Sequence, residues 1–185
     1  MGSLLHSLTS HLSNFIREQP VFFVASSAAA SRVNLSPKGT DSLRVLDEKT
    51  VAYLDMTRSG NETAAHVMND GRLTMMFCSF GEKPLIVRVY GQAEVVQPGD
   101  AKWNELIGRF TPAAGVRQIV ALHIDSVQTS CGFGVPRMQF VAHREELAKW
   151  VSRKSDAELN EYRLKNNSRS IDGLPVRLNG SPPTA

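Results

Sequence analysis

The sequence predicts a mainly β domain with flanking helices, in which antiparallel strands close into a barrel. Short strand-like segments recur at even spacing, few helices lie between them, and connections such as Gly81–Pro84 are too short to join parallel strands. The 185 residues, 42% of them hydrophobic, suffice for one domain with its own core, since a domain usually takes about 150 residues. We expect that domain to cover residues 1–178 and a flexible tail to follow at 179–185.

Charge and composition limit the class of protein. The net charge of +3 comes from 21 basic and 18 acidic residues, which is too balanced to indicate a nucleic-acid partner. The longest apolar run, Val21–Ala30, is far below the roughly 18 residues of a membrane span and contains serines. Cys78 and Cys131 lack a paired spacing, which indicates a reducing compartment. We therefore expect a cytoplasmic protein without a membrane or nucleic-acid partner.

The first third of the chain predicts one helix and three strands. Ser10 is expected to cap a helix over Ser10–Gln19, which Pro20 stops. Pro37-Lys38-Gly39 has the composition of a turn. The predicted strands are Val21–Ala25, Arg32–Ser36 and Val51–Asp55, with a short apolar segment at Leu43–Leu46.

The remainder predicts three longer strands followed by a helical C-terminal part. Asp100 is expected to cap a helix over Ala101–Phe110 whose apolar residues form one stripe. A further helix runs from Arg144 to Trp150, and the capping box Ser155–Glu158 opens the last one. The predicted strands are Arg72–Ser79, with both faces buried, Leu85–Val96 and Ile119–Val127.

The segment Thr57–Thr63 links the strand Val51–Asp55 to a helix that Asn69-Asp70-Gly71 ends. It places a guanidinium, hydroxyl groups, an amide and a glycine at a helix N-terminus. Free N–H groups and the helix dipole favour an anion there, and Arg58 is able to grip a phosphate with two hydrogen bonds. This composition indicates a phosphate site.

A second interpretation of the same segment is purely structural. Ser59 followed by Glu62 matches the S-x-x-E capping box, which many ordinary helices carry. The pattern alone leaves both interpretations open.

Other candidate sites give weaker signals. The glycine-rich loop Cys131–Met138 either lies against a flat ligand or simply bends over the core. Glu62 and His66 share a helix face, but no third ligand follows at a metal-site spacing, so we expect no metal.

Several motifs together resemble the pyridoxamine 5'-phosphate oxidase-like family. They occur in order between residues 33 and 175, which makes the resemblance far more specific than one glycine motif. The matching segments are Val33–Gly39, Val51–Asp55, Ser59–His66, Met76–Cys78, Arg88–Gly91, Cys131–Pro136 and Ser170–Pro175.

The resemblance implies an FMN-binding split barrel that forms a homodimer, with two FMN clefts between the subunits and Arg72–Val96 and the Cys131 loop near the twofold axis. By position in the family, the FMN phosphate is held by Ser59, Gly60, Asn61 and Thr63, with Arg58 beside them. The isoalloxazine ring runs along Asn34, Ser36, Pro37 and Lys38, with Asp55 at the end of the next strand. Arg88 lies on the strand that family members use for a further flavin contact, and the resemblance implies that Cys131 and Gly132 reach the flavin of the partner subunit.

The chain also departs from the members that oxidise pyridoxamine phosphate. Leu85-Ile86 stands where they have an arginine–glutamine pair, and Trp150 precedes another helix. Their C-terminal Arg-Leu motif is not expected here. We expect an FMN-dependent oxidoreductase acting on another small molecule. The alternative is a non-catalytic protein that binds a flavin, a deazaflavin or haem, with His66 as the obvious iron ligand.

Overall fold

The computed structural model describes residues 2–178, which contain eight strands and five helices. The predicted tail at 179–185 lies outside this range. The strands are β1 (Leu4–Leu5), β2 (Val21–Ser26), β3 (Asn34–Gly39), β4 (Leu43–Val45), β5 (Thr50–Met56), β6 (Arg72–Cys78), β7 (Ile86–Val96) and β8 (Val116–Ser130). The helices are α1 (Ser10–Glu18), α2 (Glu62–Asn69), α3 (Trp103–Ile107), α4 (Glu146–Val151) and α5 (Asp156–Asn166).

The strands form one antiparallel sheet in the order β3-β2-β6-β7-β8-β5-β4, with β1 added to β8. Its two ends, β3 and β4, follow each other in the chain, so the sheet curls back on itself. An ion pair links the end strand β3 to β5, the neighbour of the other end strand β4: Lys38 Nζ in β3 lies 2.9 Å from Asp55 Oδ1 in β5. The predicted antiparallel split barrel with flanking helices is confirmed.

β5 separates two hydrophobic cores because its side chains alternate between the faces of the sheet. Val51 and Tyr53 are fully buried in the barrel interior, which α1 covers. Ala52 and Leu54 face a second core on the outside, closed by α3. Asp55 lies on the same face of β5 as Tyr53, so a carboxylate stands on the interior face one residue before the strand ends.

The predicted turn at Pro37-Lys38-Gly39 is wrong. These residues belong to β3, where Pro37 pairs with Phe23 and Gly39 with Val21. A proline is tolerated because β3 is an edge strand, so one side of it needs no ladder hydrogen bond. The chain turns instead at Thr40 and Asp41, whose φ angles of 57° and 54° are left-handed.

Two predicted N-caps are also wrong. Thr9, not Ser10, caps α1, since its hydroxyl accepts a hydrogen bond of 3.2 Å from the N–H of Leu12. Asp100 does not cap α3, which is shorter than predicted and is preceded by Lys102. The Asp100 carboxylate instead forms a two-point ion pair with Arg177, at 2.6 and 2.8 Å.

The long strands differ from their prediction in extent and burial. β6 buries one face fully, through Leu73, Met75 and Phe77, whereas Thr74 and Met76 are only half-buried. β8 runs three residues further than predicted at each end, and its added N-terminal residues contribute to the site described below.

The C-terminal part holds α2 against the barrel. Val176 packs on Ala64 and Ala65 of α2. The Glu62 carboxylate accepts hydrogen bonds from the N–H of Ile171, at 3.0 and 3.2 Å. In the part of the chain that the structure describes, no helix is long and apolar enough to cross a membrane.

Candidate functional site

A cavity of about 500 Å³, here called the polar cavity, opens beside the Lys38–Asp55 ion pair. It lies at the end of β5, between the edge strand β3, the segment that leads into α2, and α4. Its lining residues are Leu35, Ser36, Pro37, Lys38, Gly39, Thr40, Ser42, Leu54, Asp55, Met56, Arg58, Ser59, Arg117 and Leu147.

Asp55 is the electrostatic centre of this cavity. Its carboxylate is 3% exposed and accepts hydrogen bonds from Lys38 Nζ at 2.9 Å, Arg117 Nε at 2.8 Å and Gln118 Nε2 at 2.7 Å. Burial alone would raise the pKa of this carboxyl, but the charges of Arg117 and Lys38 outweigh burial and hold the pKa well below its ordinary value. Two cations around one carboxylate leave a net positive charge.

The segment between β5 and α2 is fixed from beneath by two buried side chains. Arg117 donates to the carbonyl oxygen of Gly60 at 2.6 Å. Asn167 Nδ2, at the end of α5, donates to the carbonyl oxygens of Arg58 and Gly60 at 2.9 and 3.0 Å. Gly60 has a left-handed φ of 64°, which a glycine adopts without strain. The segment is therefore held in one conformation at the cavity wall.

The capping-box interpretation of Ser59 and Glu62 is wrong. α2 begins after Asn61, whose side chain makes no capping hydrogen bond, and the Glu62 carboxylate is bonded to the C-terminal part. The second S-x-x-E motif behaves differently, because Ser155 and Glu158 form a complete capping box at α5. Ser59 is instead one of the residues that line the polar cavity.

Arg58 brings a cation without an acidic partner to the same wall. Its guanidinium lies over the Trp150 indole ring, 4.7 Å from the ring centroid, and forms no ion pair within residues 2–178. Trp150 is in turn packed edge-on against Tyr162, with 5.0 Å between centroids. Stacking fixes a guanidinium while leaving its N–H groups free to donate.

Four other predicted residues lie behind this wall in a hydrogen-bond network. Asn34 Nδ2 donates to the hydroxyl groups of Thr63 and Ser36, both at 3.1 Å. Asn61 accepts from Gln118 at 2.7 Å, and Gln118 also donates to the Asp55 carboxylate. Asn34, Gly60, Asn61 and Thr63 are thus connected to the cavity rather than lining it.

Three predicted residues lie away from the polar cavity of this chain. Arg88 is on β7 and donates to the Ser130 hydroxyl at 2.9 Å. Cys131 and Gly132 follow β8, where Gly132 packs against the backbone of Leu85. Their assignment as flavin contacts, for Cys131 and Gly132 across a subunit interface, stays a prediction.

The sequence-based prediction missed the residues that support the site. Arg117 and Gln118 stand at the start of β8, and Gln118 pairs in register with Asp55. The sequence contains a signal for these two residues. Both are polar and stand directly ahead of a buried apolar strand, and an acidic residue lies opposite them. Asn167 offers no comparable signal, because its role depends on how α5 returns to the barrel.

His66 does not line the polar cavity. Its ring is 1% exposed, and Nδ1 lies 3.0 Å from the Ser26 hydroxyl. Among the residues that the structure describes, no three His, Cys, Asp or Glu side chains form a metal-binding group.

The expectation that the chain lacks an Arg-Leu pair near its C-terminus needs correction, since Arg177-Leu178 is such a pair. The Arg177 guanidinium nevertheless forms an ion pair with Asp100. The backbone carbonyl oxygen of Arg177 accepts a hydrogen bond from Gln97 Nε2 at 2.6 Å. This arginine is held at the side of the barrel and does not line the polar cavity.

Comparison with known families and proteins gives a consistent result. The family model described as pyridoxamine 5'-phosphate oxidase matches residues 8–131. The pyridoxamine 5'-phosphate oxidase family protein ustO of Aspergillus flavus is 37% identical over 193 aligned positions, which cover 95% of this chain and 78% of that protein.

Solved structures show the same fold at low sequence identity. A variant of HupZ from Group A Streptococcus aligns with a TM-score of 0.51 and 24% identity, covering 66% of this chain and 98% of that one. A putative pyridoxamine 5'-phosphate oxidase from Lactobacillus delbrueckii aligns with a TM-score of 0.50 and 24% identity, covering 66% and 94%. Their likeness concerns the barrel and extends to about two thirds of the chain.

Proposed function

The chain belongs to the pyridoxamine 5'-phosphate oxidase family, and from this premise we propose that it binds FMN and acts as an FMN-dependent oxidoreductase on a small molecule. The observation that carries the proposal is the Arg58 guanidinium, which has no ion pair within residues 2–178 and stands beside Ser59 at the wall of a positively charged cavity. A fixed cation that has no anionic partner in the described part of the protein favours a negatively charged ligand.

The donor set of the cavity fits a phosphorylated flavin. Arg58 and Ser59 would hold the phosphate by charge-assisted and hydroxyl hydrogen bonds. Ser36, Pro37 and Lys38 lie in a row on β3 and would follow one edge of the ring. The rigid segment beneath, tied by Asn167, would keep the phosphate ligands in place without rearrangement.

When bound, FMN supplies hydride transfer at its ring, and the protein supplies orientation and charge. Lys38 is suited to the second task because its ammonium group lines the cavity while staying bonded to Asp55 at 2.9 Å. Such a fixed positive charge stabilises negative charge on a neighbouring ring. Asp55 positions the Lys38 ammonium group and compensates the charge of Arg117. Its effect on a bound ring would therefore pass through these two residues.

The test of the proposal distinguishes the contribution of the phosphate to binding from that of the ring. Recombinant protein is expected to be yellow and to release FMN on denaturation, identified by mass spectrometry. Arg58→Ala should weaken FMN at least tenfold, since a hydrogen bond to a charged group is worth about 1.5–3 kcal/mol. Riboflavin, which lacks the phosphate, should bind the variant and the parent alike. Arg109→Ala is the matched control, because Arg109 is exposed and does not line the polar cavity. Release of FAD or haem, or equal losses for both ligands in Arg58→Ala, would contradict the proposal.

We further propose that the functional unit is a homodimer. Four large apolar side chains in the segment after β8 are strongly exposed: Phe133 at 82%, Met138 at 61%, Phe140 at 54% and Val141 at 89%. Apolar groups concentrated on one segment in this way favour association. Static light scattering should give about twice the 20.3 kDa chain mass, and a monomer that retains FMN would contradict this assembly.

A further inference from the structure

A second cavity, here called the apolar cavity, lies directly beside the polar cavity and has a volume of about 480 Å³. It is formed between the β3–β4 turn, the end of β5, the segment after α3, and α4. Its lining residues are Thr40, Asp41, Ser42, Leu54, Met56, Thr111, Pro112, Ala113, Ala114, Arg144, Leu147, Ala148 and Ser152.

The two cavities adjoin each other. Five residues line both of them: Thr40, Ser42, Leu54, Met56 and Leu147. A ligand in the apolar cavity would therefore contact residues that also line the polar cavity. Small residues after α3 and on α4, including Ala113, Ala114 and Ala148, leave the space open.

The charged groups around the apolar cavity are either neutralised or turned outward. Asp41 is paired with the Arg44 guanidinium at 2.8 and 3.0 Å and accepts from the Thr111 hydroxyl at 3.1 Å. Arg144 stands at the rim with its side chain 90% exposed. The floor is provided by Leu54, Met56 and Leu147, which favours an uncharged, largely hydrocarbon ligand.

We propose that the apolar cavity binds the apolar body of an uncharged organic substrate, whose reacting end enters the polar cavity. This inference rests on the proposed function, because a flavin exchanges a hydride only with a molecule that touches its ring. The cofactor cavity is polar and positively charged, so the substrate's apolar part needs a separate space. The apolar cavity is contiguous with the polar one and is of the size that small ligands occupy.

The experiment uses N-phenyl-1-naphthylamine, a neutral aromatic probe, with the FMN-loaded protein in a calorimetric titration. Ala148→Trp places a large side chain in the apolar cavity, and Ala113→Trp does so from the opposite wall. Ala157→Trp is the matched control, because Ala157 is an exposed alanine on the neighbouring helix α5. The probe should bind the parent and Ala157→Trp equally, at one site per chain, and both filled variants at least tenfold more weakly.

Three results would overturn the inference. Equal probe affinity in the parent and the filled variants would mean that the probe binds elsewhere. Probe binding only to FMN-free protein, with release by FMN, would assign the space to the cofactor. A change of assembly in both filled variants, seen by light scattering, would assign it to a second copy of the chain. Failure of the proposed function is distinguished by the FMN titration, which does not involve the probe.

Discussion

Asn167→Ala tests how the segment between β5 and α2 is held. The Asn167 side chain is fully buried, and its Nδ2 donates to the carbonyl oxygens of Arg58 and Gly60. Truncation leaves the Arg58 carbonyl without this partner, while Gly60 keeps its bond from Arg117. One unsatisfied buried group costs about 1–3 kcal/mol, and the space left by the amide adds to that cost. We expect the free energy of unfolding to fall by about 2–4 kcal/mol.

The measurement is urea denaturation followed by circular dichroism, with Asn166→Ala as the control. Asn166 is exposed, and its Nδ2 donates within α5 to the Tyr162 carbonyl oxygen at 2.9 Å. Its truncation should change stability by less than about 0.5 kcal/mol. Asn167→Asp keeps the shape but replaces the donor by a carboxylate, and should destabilise at least as much as alanine. Similar denaturation midpoints for Asn167→Ala and Asn166→Ala would refute the role assigned to these hydrogen bonds.

Three further predictions concern the charge network, the stacked tryptophan and a close backbone contact. The lowered pKa of Asp55 means that its carboxylate stabilises the fold above the unfolded-state pKa, near 3.9, and that this stabilisation is lost progressively as pH falls from there towards the lower folded-state pKa. Asp55→Asn should therefore lose about 3–5 kcal/mol at pH 7 and show a flatter stability profile between pH 5 and 3, by urea denaturation at each pH. Trp150→Leu should weaken FMN by about 0.5–2 kcal/mol without changing riboflavin affinity, because it removes the stacking that fixes Arg58, whereas Trp150→Phe should retain part of it. At the β7–β8 bulge, Gly91→Ala should lower thermal stability sharply, since a Cβ there overlaps a carbonyl oxygen of β8, whereas Gly134→Ala, with open space around it, should not.

The barrel could be predicted from the sequence because its signals are local. The run Val51–Asp55 predicts a strand from its own composition, and the structure places it within β5. The errors arise where tertiary context decides. Pro37-Lys38-Gly39 has turn composition, yet it pairs with β2 because an edge strand tolerates a proline.

The candidate site was predictable only in part, for a similar reason. Lys38, Asp55 and Ser59 lie in segments whose motifs resemble the family, Arg58 directly precedes one of them, and the structure brings all four residues to one cavity. Its support comes from distant residues: Asn167 is over a hundred positions away from Gly60 along the chain, and no periodicity indicates their contact.

This chain contains two S-x-x-E motifs, at Ser59 and Ser155, and their different surroundings allow the capping function of the motif to be tested. Ser155 accepts a hydrogen bond from the N–H of Glu158 and caps α5, whereas Ser59 lines the polar cavity and leaves α2 without a side-chain cap. Ser155→Ala should therefore lower the free energy of unfolding by about 1 kcal/mol and leave FMN affinity unchanged. Ser59→Ala should do the reverse: stability stays close to the parent, and FMN weakens several-fold while riboflavin does not, since one hydrogen bond is worth about 1 kcal/mol. If both substitutions destabilise equally and neither changes FMN affinity, Ser59 is a helix cap and the cavity does not use it.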